Sequence, residues 1–344
     1  MIYEKYADIG QKSLDYYYKN DDIIQYMNNL YPINSKKDNE TFNYWWIAHL
    51  IDVRIDAYLR TEDEAMLAVA KEAYRVNKQR NHNTLRHEFY DDMLWNALAG
   101  VRLYDIEKNG EYLEDAKEVC DDIMRTAWNE HCGGGLAWKR TQLDYKNTPV
   151  NAPFIILAIR LYKITNESCY WEMALKVYDW IKRVLVRADS FVEDGINRLG
   201  DGKIDTQWQF TYNQGVYIGA VLEIFKVSGE EKYLEEAHRC AEQSLNILVQ
   251  QGVLVDEGDG GDIGLFKGIL YRYLCLLNEQ DAKAKYSEFI MSSVDILVKN
   301  KLEEGYLLAN RNWTTKNDGA VYLSDELSAV MAMEMAAKCE CTIT

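Results

Sequence analysis

An all-α fold, six helical hairpins closing as an (α/α)6 barrel in a single domain over residues 1–344, is what this sequence predicts. Three observations carry the prediction. Apolar residues recur at helical spacing almost throughout, with few strand-like alternations. Helical segments alternate between two kinds, one with charges along one face and one apolar on most sides. The joints between them also recur: Arg60-Thr61-Glu62-Asp63, Lys108-Asn109-Gly110-Glu111-Tyr112-Leu113, Lys163-Ile164-Thr165-Asn166-Glu167 and Lys226-Val227-Ser228-Gly229-Glu230-Glu231-Lys232-Tyr233-Leu234, with a weaker fifth at Asn278-Glu279-Gln280-Asp281. After each of the first four an alanine follows at a similar offset, namely Ala70, Ala116, Ala174 and Ala237. Recurrence every roughly 45 to 65 residues marks stacked helix pairs.

Taken in order, amphipathic helices are expected at 3–19, 62–78, 110–128, 168–186, 231–249 and 282–299. The apolar helices fall at 42–59, 90–105, 150–163, 212–227, 264–277 and 320–337. Helices apolar all round belong in the interior, so the second set forms an inner ring and the first an outer ring. Short joints make each inner helix antiparallel to the next outer one. All inner helices then run the same way, and their N-termini share one mouth. Pro32, Pro149 and Pro153 are the only prolines, and no Ser/Gly-rich linker interrupts the chain, so composition offers no seam between domains.

A hydrophobic content of 48% supplies a sizeable core. The formal charge of -16 repels polyanions, and no Lys/Arg cluster offsets it, so neither nucleic acid nor an anionic membrane is an expected partner. No apolar run reaches membrane-spanning length. The seven cysteines are odd in number and scattered, which reads as reduced core thiols. Cys339 and Cys341 have no second pair or His cluster nearby, so no metal and no cofactor is expected. Met1-Ile2-Tyr3-Glu4-Lys5 lacks the basic and apolar stretches of an export signal, and a cytoplasmic protein is the expectation.

Polar and aromatic exceptions gather at the inner-helix N-termini: Tyr44, Trp45, Trp46 and His49; Asp91, Asp92 and Trp95; Asn147, Thr148 and Asn151; Thr211, Tyr212, Asn213 and Gln214; Asp262 and Lys267. Three glycine-rich loops enter the same mouth: Cys132-Gly133-Gly134-Gly135-Leu136-Ala137-Trp138, Asp194-Gly195-Ile196-Asn197 and Glu257-Gly258-Asp259-Gly260-Gly261-Asp262. The triglycine has no Lys-Ser/Thr opening a helix behind it, so it reads as a tight hairpin rather than a phosphate cradle. Carboxylates, amides and rings together suit a neutral substrate.

The chemistry-bearing feature is Asp91-Asp92, inside Phe89-Tyr90-Asp91-Asp92-Met93-Leu94-Trp95. Two carboxylates walled by aromatics are the raw material of glycosidic bond cleavage. A helix cap accounts for one of them, not for both. Adjacent helical residues point about 100° apart. Both carboxylates therefore reach one sugar only if Asp91 lies at or before the first turn, where the backbone is not yet helical. A second pair, Asp121-Asp122 between Lys117 and Arg125, reads as a solvated helix face. Trp45, His49, Asp52 and Asp56 form a polar stripe. The stripe reads as buried groups bonded to neighbouring helices, with Trp45 open to either core packing or sugar stacking. Asn147, Asn151, Asn213 and Gln214 read equally as satisfied helix ends or as ligand-facing amides.

Tyr44-Trp45-Trp46 with Asp52 and Asp56-Ala57-Tyr58, Tyr90-Asp91-Asp92-Met93-Leu94-Trp95, Lys146-Asn147-Thr148 with Asn151-Ala152-Pro153-Phe154, Tyr212-Asn213-Gln214-Gly215 and Phe266-Lys267-Gly268-Ile269, in this order, resemble glycoside hydrolase family 76 from about residue 40 to 335. That family comprises endo-α-1,6-mannanases and relatives built as (α/α)6 barrels. The resemblance implies a retaining, metal-free glycoside hydrolase acting on an α-mannoside, α-1,6-linked, with Asp91 as nucleophile and Asp92 as general acid/base. It aligns Asp194 with a substrate-binding aspartate. Trp45, Trp46, Tyr90, Trp95, Trp138, Asn147, Asn151, Tyr212, Asn213, Gln214 and Lys267 complete the expected oligosaccharide-contacting set. With no export signal, the expected substrate is a short imported oligosaccharide. Two alternatives stay open. One is another sugar enzyme of this architecture. An unsaturated-uronide hydrolase wants cations at the mouth, where mainly Lys139, Arg140 and Lys267 stand, and an epimerase wants paired histidines, which His49, His82, His87, His131 and His238 do not supply by spacing. The other is a non-catalytic carbohydrate-binding helical scaffold, which leaves Asp91 and Asp92 unexplained.

Overall fold

The computed structural model describes residues 1–18, 27–258, 261–281 and 286–343. Among them are twelve α-helices: α1 (Ile2–Ser13), α2 (Tyr44–Thr61), α3 (Glu64–Arg80), α4 (Tyr90–Glu107), α5 (Gly110–Thr126), α6 (Thr148–Thr165), α7 (Ser168–Val184), α8 (Thr211–Ser228), α9 (Glu231–Leu248), α10 (Phe266–Gln280), α11 (Tyr286–Lys301) and α12 (Leu323–Ile343). The all-α class and the alternation expected of an (α/α)6 barrel are borne out. Asp259 and Gly260 of the third glycine loop, residue 19, and residues 282–285 lie outside the described residues. Two ends differ from expectation. The first helix tightens to a 3-10 turn at Leu14–Tyr17. The last begins only at Leu323, because Val321–Tyr322 pair as a short strand with Leu30–Tyr31.

The recurring joints have a common backbone cause. Helices α2, α4, α6 and α8 each end on a residue in the left-handed conformation, Glu62, Lys108, Asn166 and Gly229, with φ of 58°, 56°, 60° and 69°. Each cap donates its N–H to the carbonyl of an aromatic residue four positions back, Tyr58, Tyr104, Tyr162 and Phe225. The turn satisfies an orphan carbonyl and swings the chain straight into the next helix. The weaker fifth joint lacks the device, since Asp281 is extended at φ −136°. Ala70, Ala116, Ala174 and Ala237 are each fully buried on the outer helix that follows. A small side chain there lets two helices approach closely.

The chain divides into two compact units. In the first, Met1–Arg80 with Ile247–Thr344, α2 packs on α3, and α12 packs on α1, α2, α10 and α11. Glu340 near the end of α12 accepts the N–H groups of Ile2 and Tyr3, so the chain's last helix caps its first. In the second unit, Asn81–Asn246, α4 packs on α5 and α6, and α6 on α7 and α8. This unit also carries a small antiparallel sheet, β1 (Ala137–Lys139), β2 (Gln142–Asn147) and β3 (Gly195–Ile196), which the helical reading did not anticipate.

Asp122 corrects the expectation for the second acidic pair. It falls on the face of α5 that carries Ala116, Val119, Cys120 and Ile123, and is only 3% exposed. There it meets the guanidinium of Arg140, that of Arg125 at 2.8 Å and that of Arg86 at 3.8 Å. Its neighbour Asp121 accepts the Tyr170 hydroxyl at 3.0 Å. Burial works against the charge of Asp122, but hydrogen bonds from Arg140 and Arg125 and the nearby Arg86 hold its carboxyl below the usual range. A depressed carboxylate contributes stability above its unfolded pKa and loses it as pH falls through the folded one. Asp122→Asn is therefore expected to cost about 2 kcal/mol at neutral pH, less than a fully buried pair because the arginines stay partly solvated. Urea denaturation at neutral pH and at about pH 3 checks this, the difference from wild type shrinking at the acid end.

Candidate active site

Helix α4 starts at Tyr90, with Phe89 as an extended N-cap whose side chain makes no cap bond. Asp91 and Asp92 are thus the second and third residues of the first helical turn, so neither is the cap and the backbone between them is already helical. The expectation of a backbone not yet helical at Asp91 is therefore corrected: both carboxyls leave the first helical turn, in different directions, and meet different partners. Asp91 Oδ2 accepts the indole N–H of Trp138 at 3.1 Å, and its Oδ1 accepts the Asp92 backbone N–H at 3.1 Å. Asp92 Oδ2 instead lies 3.3 Å from Nδ1 of His87, the two side chains being 20% and 26% exposed. The N–H groups of the first turn favour negative charge at both positions alike. The side-chain partners distinguish the two.

Those partners are held by the hairpin β1–β2. Phe89 makes an isolated antiparallel bridge to Lys139, Arg140 donates its N–H to the Glu88 carbonyl at 3.1 Å, and its Nε donates to the His87 carbonyl at 3.0 Å. The rings of Phe89 and Trp138 stand 5.2 Å apart, with the Lys139 ammonium within 5.2 Å of both. The triglycine is not the hairpin turn but the approach to it. Gly134 and Gly135 take φ of +116° and +85° and lie against Trp128 and Trp180. Trp180 donates to the Cys132 carbonyl at 3.1 Å, and Lys146 donates to that of Gly135 at 2.9 Å.

The Trp138 ring stands 5.7 Å from that of Tyr145, which belongs to a buried network centred on Asp194, 2% exposed. Its Oδ1 accepts the Tyr212 hydroxyl at 3.3 Å and Asn213 Nδ2 at 3.0 Å, and its Oδ2 accepts the Tyr145 hydroxyl at 3.0 Å and Arg198 at 2.7 Å. Burial raises its carboxyl, opposed by Asn213, Arg198 and Tyr145. The Arg198 guanidinium is sandwiched 3.6 Å from the Trp208 ring and 4.4 Å from that of Tyr145. Burial first, then the charges of Asp194, Tyr145 and Asp91, pushes the Tyr212 hydroxyl well above its ordinary value. Tyr212 is thus within electrostatic reach of both Asp194 and Asp91.

The remaining expected residues divide by what they touch. Asn151 and Gln214 use one device: each amide pairs with both backbone groups of a loop residue, Leu136 at 2.8 and 3.0 Å and Val192 at 3.0 and 2.7 Å. Both ends of each amide are consumed in holding a loop. Asn147 and Asn213, by contrast, each keep a buried Oδ1 with no hydrogen-bond partner among the described residues. Tyr90 is 1% exposed and donates its hydroxyl to Thr126 at 3.0 Å, and Trp95 is 5% exposed, so both rings belong to the core. Trp45, Trp46 and Lys267 belong to the other unit. Both indole N–H groups there donate to Asp262 Oδ1 at 2.9 Å, Trp46 being buried and Trp45 half-exposed. Lys267 is buried, with its ammonium on the Arg311 carbonyl. Of the polar stripe, Asp56 forms a bidentate ion pair with Arg272 at 2.6 and 3.1 Å, and burial lowers His49 to about 4. Sequence reasoning missed His87, Tyr145, Arg198 and Trp208. Only Arg198 carried a signal, its spacing of four from Asp194. Among the described residues no group of three or more His, Cys, Asp or Glu could hold a metal ion, and no helix is long and apolar enough to cross a membrane.

The sequence profile of Glycosyl hydrolase family 76 matches residues 1–340. A crystal structure of the Lin0763 protein from Listeria innocua is 53% identical, covers 99% of this chain and 98% of its own, and superposes with a TM-score of 0.97. The α-1,6-mannanase of Salegentibacter sp. HEL1_6 is 35% identical over 98% of this chain and 99% of its own, with a TM-score of 0.89. A variant of that enzyme in which two consecutive aspartates are replaced by asparagine is described as inactive and was solved with α-1,6-mannotriose, again at a TM-score of 0.89 and 34% identity, over 98% of this chain and 99% of its own. The fold is shared over nearly the whole chain. A mannan endo-1,6-α-mannosidase of Candida glabrata is 26% identical over 52% of this chain, and a putative one of Schizosaccharomyces pombe is 26% identical over 67%. The matches cover 40% and 58% of those two relatives, so the chain spans about half of their length.

The hairpin depends on Gly135. A Cβ there would meet the Trp180 ring at 2.6 Å in a backbone conformation that side chains resist, whereas Gly200, also at positive φ, has nothing within 4 Å. Gly135→Ala is expected to destabilise by about 3 kcal/mol and Gly200→Ala by about 1 kcal/mol. Denaturant melts of the two variants measure the difference.

Proposed function

The chain belongs to glycosyl hydrolase family 76, and from that premise we propose that it is a retaining glycoside hydrolase that cleaves α-mannosidic linkages, α-1,6-linked, with Asp91 as nucleophile and Asp92 as general acid/base. The observation that carries the reading is the split pair in the first turn of α4, one carboxylate receiving an indole N–H and the other facing an imidazole. The inactive mannanase variant lost two consecutive aspartates. This chain has three such pairs, of which Asp21-Asp22 lies outside the described residues. Of the two described pairs, Asp121-Asp122 is bound up with Tyr170 and three arginines, and Asp91-Asp92 is the one walled by aromatic residues.

The mechanism follows from the partners. Asp91, ionised and supported by Trp138 and the helix N-terminus, attacks the anomeric carbon while Asp92 gives its proton to the departing glycosidic oxygen. A covalent glycosyl-enzyme results. Asp92, now a carboxylate, takes a proton from water as the hydroxide portion adds to the anomeric carbon and frees Asp91. The half-exposed ring of Trp138 is suited to a sugar face. The buried thiols Cys120, Cys240, Cys275 and Cys339 form no disulfide, which fits a reducing compartment. In a cytoplasmic setting the substrate is a short, imported α-mannoside.

The test is a panel of linkage-defined mannosides followed by NMR of the first-formed product anomer. Asp91→Asn and Asp92→Asn are each expected to lower turnover of α-1,6-mannooligosaccharides by about a thousandfold or more with the fold intact. An inverted first product, or near-wild-type turnover in either variant, contradicts the assigned roles.

A further inference from the structure

We infer that His87 is a positioning residue that holds Asp92 in its acid form by presenting an unprotonated Nδ1 to the carboxyl. The inference rests on the assignment of Asp92 as acid/base and adds the device that prepares it. His87 Nδ1 accepts the backbone N–H of Phe89 at 3.3 Å. A backbone amide donates and cannot accept, so the nitrogen it faces carries a lone pair. Asp92 Oδ2 lies 3.3 Å from that same nitrogen. Two lone pairs at that separation repel unless a proton lies between them, so the single Nδ1 lone pair is shared by the Phe89 N–H and an Asp92 O–H, both at 3.3 Å. With the imidazole neutral, the proton belongs to the carboxyl.

The surroundings keep the imidazole neutral. Burial lowers the His87 pKa, Glu88 opposes this, and the Arg140 guanidinium adds to it. Arg140 is fixed by its Nε on the His87 carbonyl and by its ion pair with Asp122 of α5. The Glu88 carboxylate is turned to the Thr141 hydroxyl at 2.7 Å. From β1, the Lys139 ammonium stands over the Phe89 ring, a further cation beside the segment. From α4, Asp91 is occupied by Trp138.

A hydrogen bond to the neutral form of a carboxyl favours that form. The proton then leaves Asp92 only when the glycosidic oxygen takes it. Once ionised, Asp92 faces a lone pair, which strengthens it as a base for the attacking water. His87 itself takes no proton at any step.

Two measurements test this. The first needs no turnover. Nitrogen-15 NMR of the histidines in the wild-type protein at neutral pH is expected to find His87 neutral with its proton on Nε2; an Nδ1–H tautomer or an imidazolium overturns the inference. The second is the pH profile of kcat/KM on α-1,6-mannooligosaccharides. His87→Ala removes the acceptor and is expected to move the basic limb about one pH unit lower, a loss of roughly tenfold at the alkaline end. His87→Asn, whose carbonyl can accept, is expected to restore much of it. A uniform loss at every pH with both limbs in place marks a merely structural role and overturns the inference. If the wild-type protein turns over no mannoside, the assignment of Asp92 as acid/base fails, while the tautomer measurement still decides the state of His87.

Discussion

One short stretch of backbone pairing, Phe89 against Lys139, is the constraint on which the site depends. The pairing leaves Phe89 extended, so α4 must begin at Tyr90 and both aspartates enter its first turn. Arg140 reinforces it by binding the carbonyls of Glu88 and His87. The same contact brings Trp138 over Asp91, because Trp138 is the residue before the paired Lys139. Slide the hairpin by one residue and alternate side chains exchange faces. The indole donor would then leave Asp91.

The hairpin is in turn fixed from behind by buried groups. Trp180 closes on the glycines ahead of β1, Asn151 mimics a strand by pairing with Leu136, and Lys146 donates to Gly135. Gln214 treats Val192 the same way and so steadies the approach to Asp194. Inner-helix amides thus act as staples for loops. A buried amide with donor and acceptor both engaged resists displacement, since breaking either bond strands a polar group. Rigid support of this kind keeps the carboxylates in place without rigidity in the carboxylates themselves.

The helices were legible because their apolar period is strong and their joints repeat, and the left-handed caps at Glu62, Lys108, Asn166 and Gly229 give that repetition a physical basis. The sheet was not legible. Gly195–Ile196 is two residues long, too short to carry an alternation. Asp122 was readable in principle: it shares a helix face with Val119 and Ile123, and that spacing outweighs the charged neighbours that suggested solvent. His87 was not readable, since its function depends on the direction of one backbone N–H and on the register of a distant hairpin. For Asn151 and Gln214 the residue type was informative but the partner was not, because backbone groups leave no mark in sequence.

The central claim is that two adjacent carboxylates on one helix are driven to different protonation states by one donor and one acceptor. The most direct measurement is a pH titration of the Asp91 and Asp92 side-chain carboxyls by carbon-13 NMR of the aspartate-labelled protein, each assigned by its Asp→Asn variant. The account predicts Asp91 ionised and Asp92 protonated at neutral pH. Two ionised carboxylates, or the reverse assignment, would contradict it.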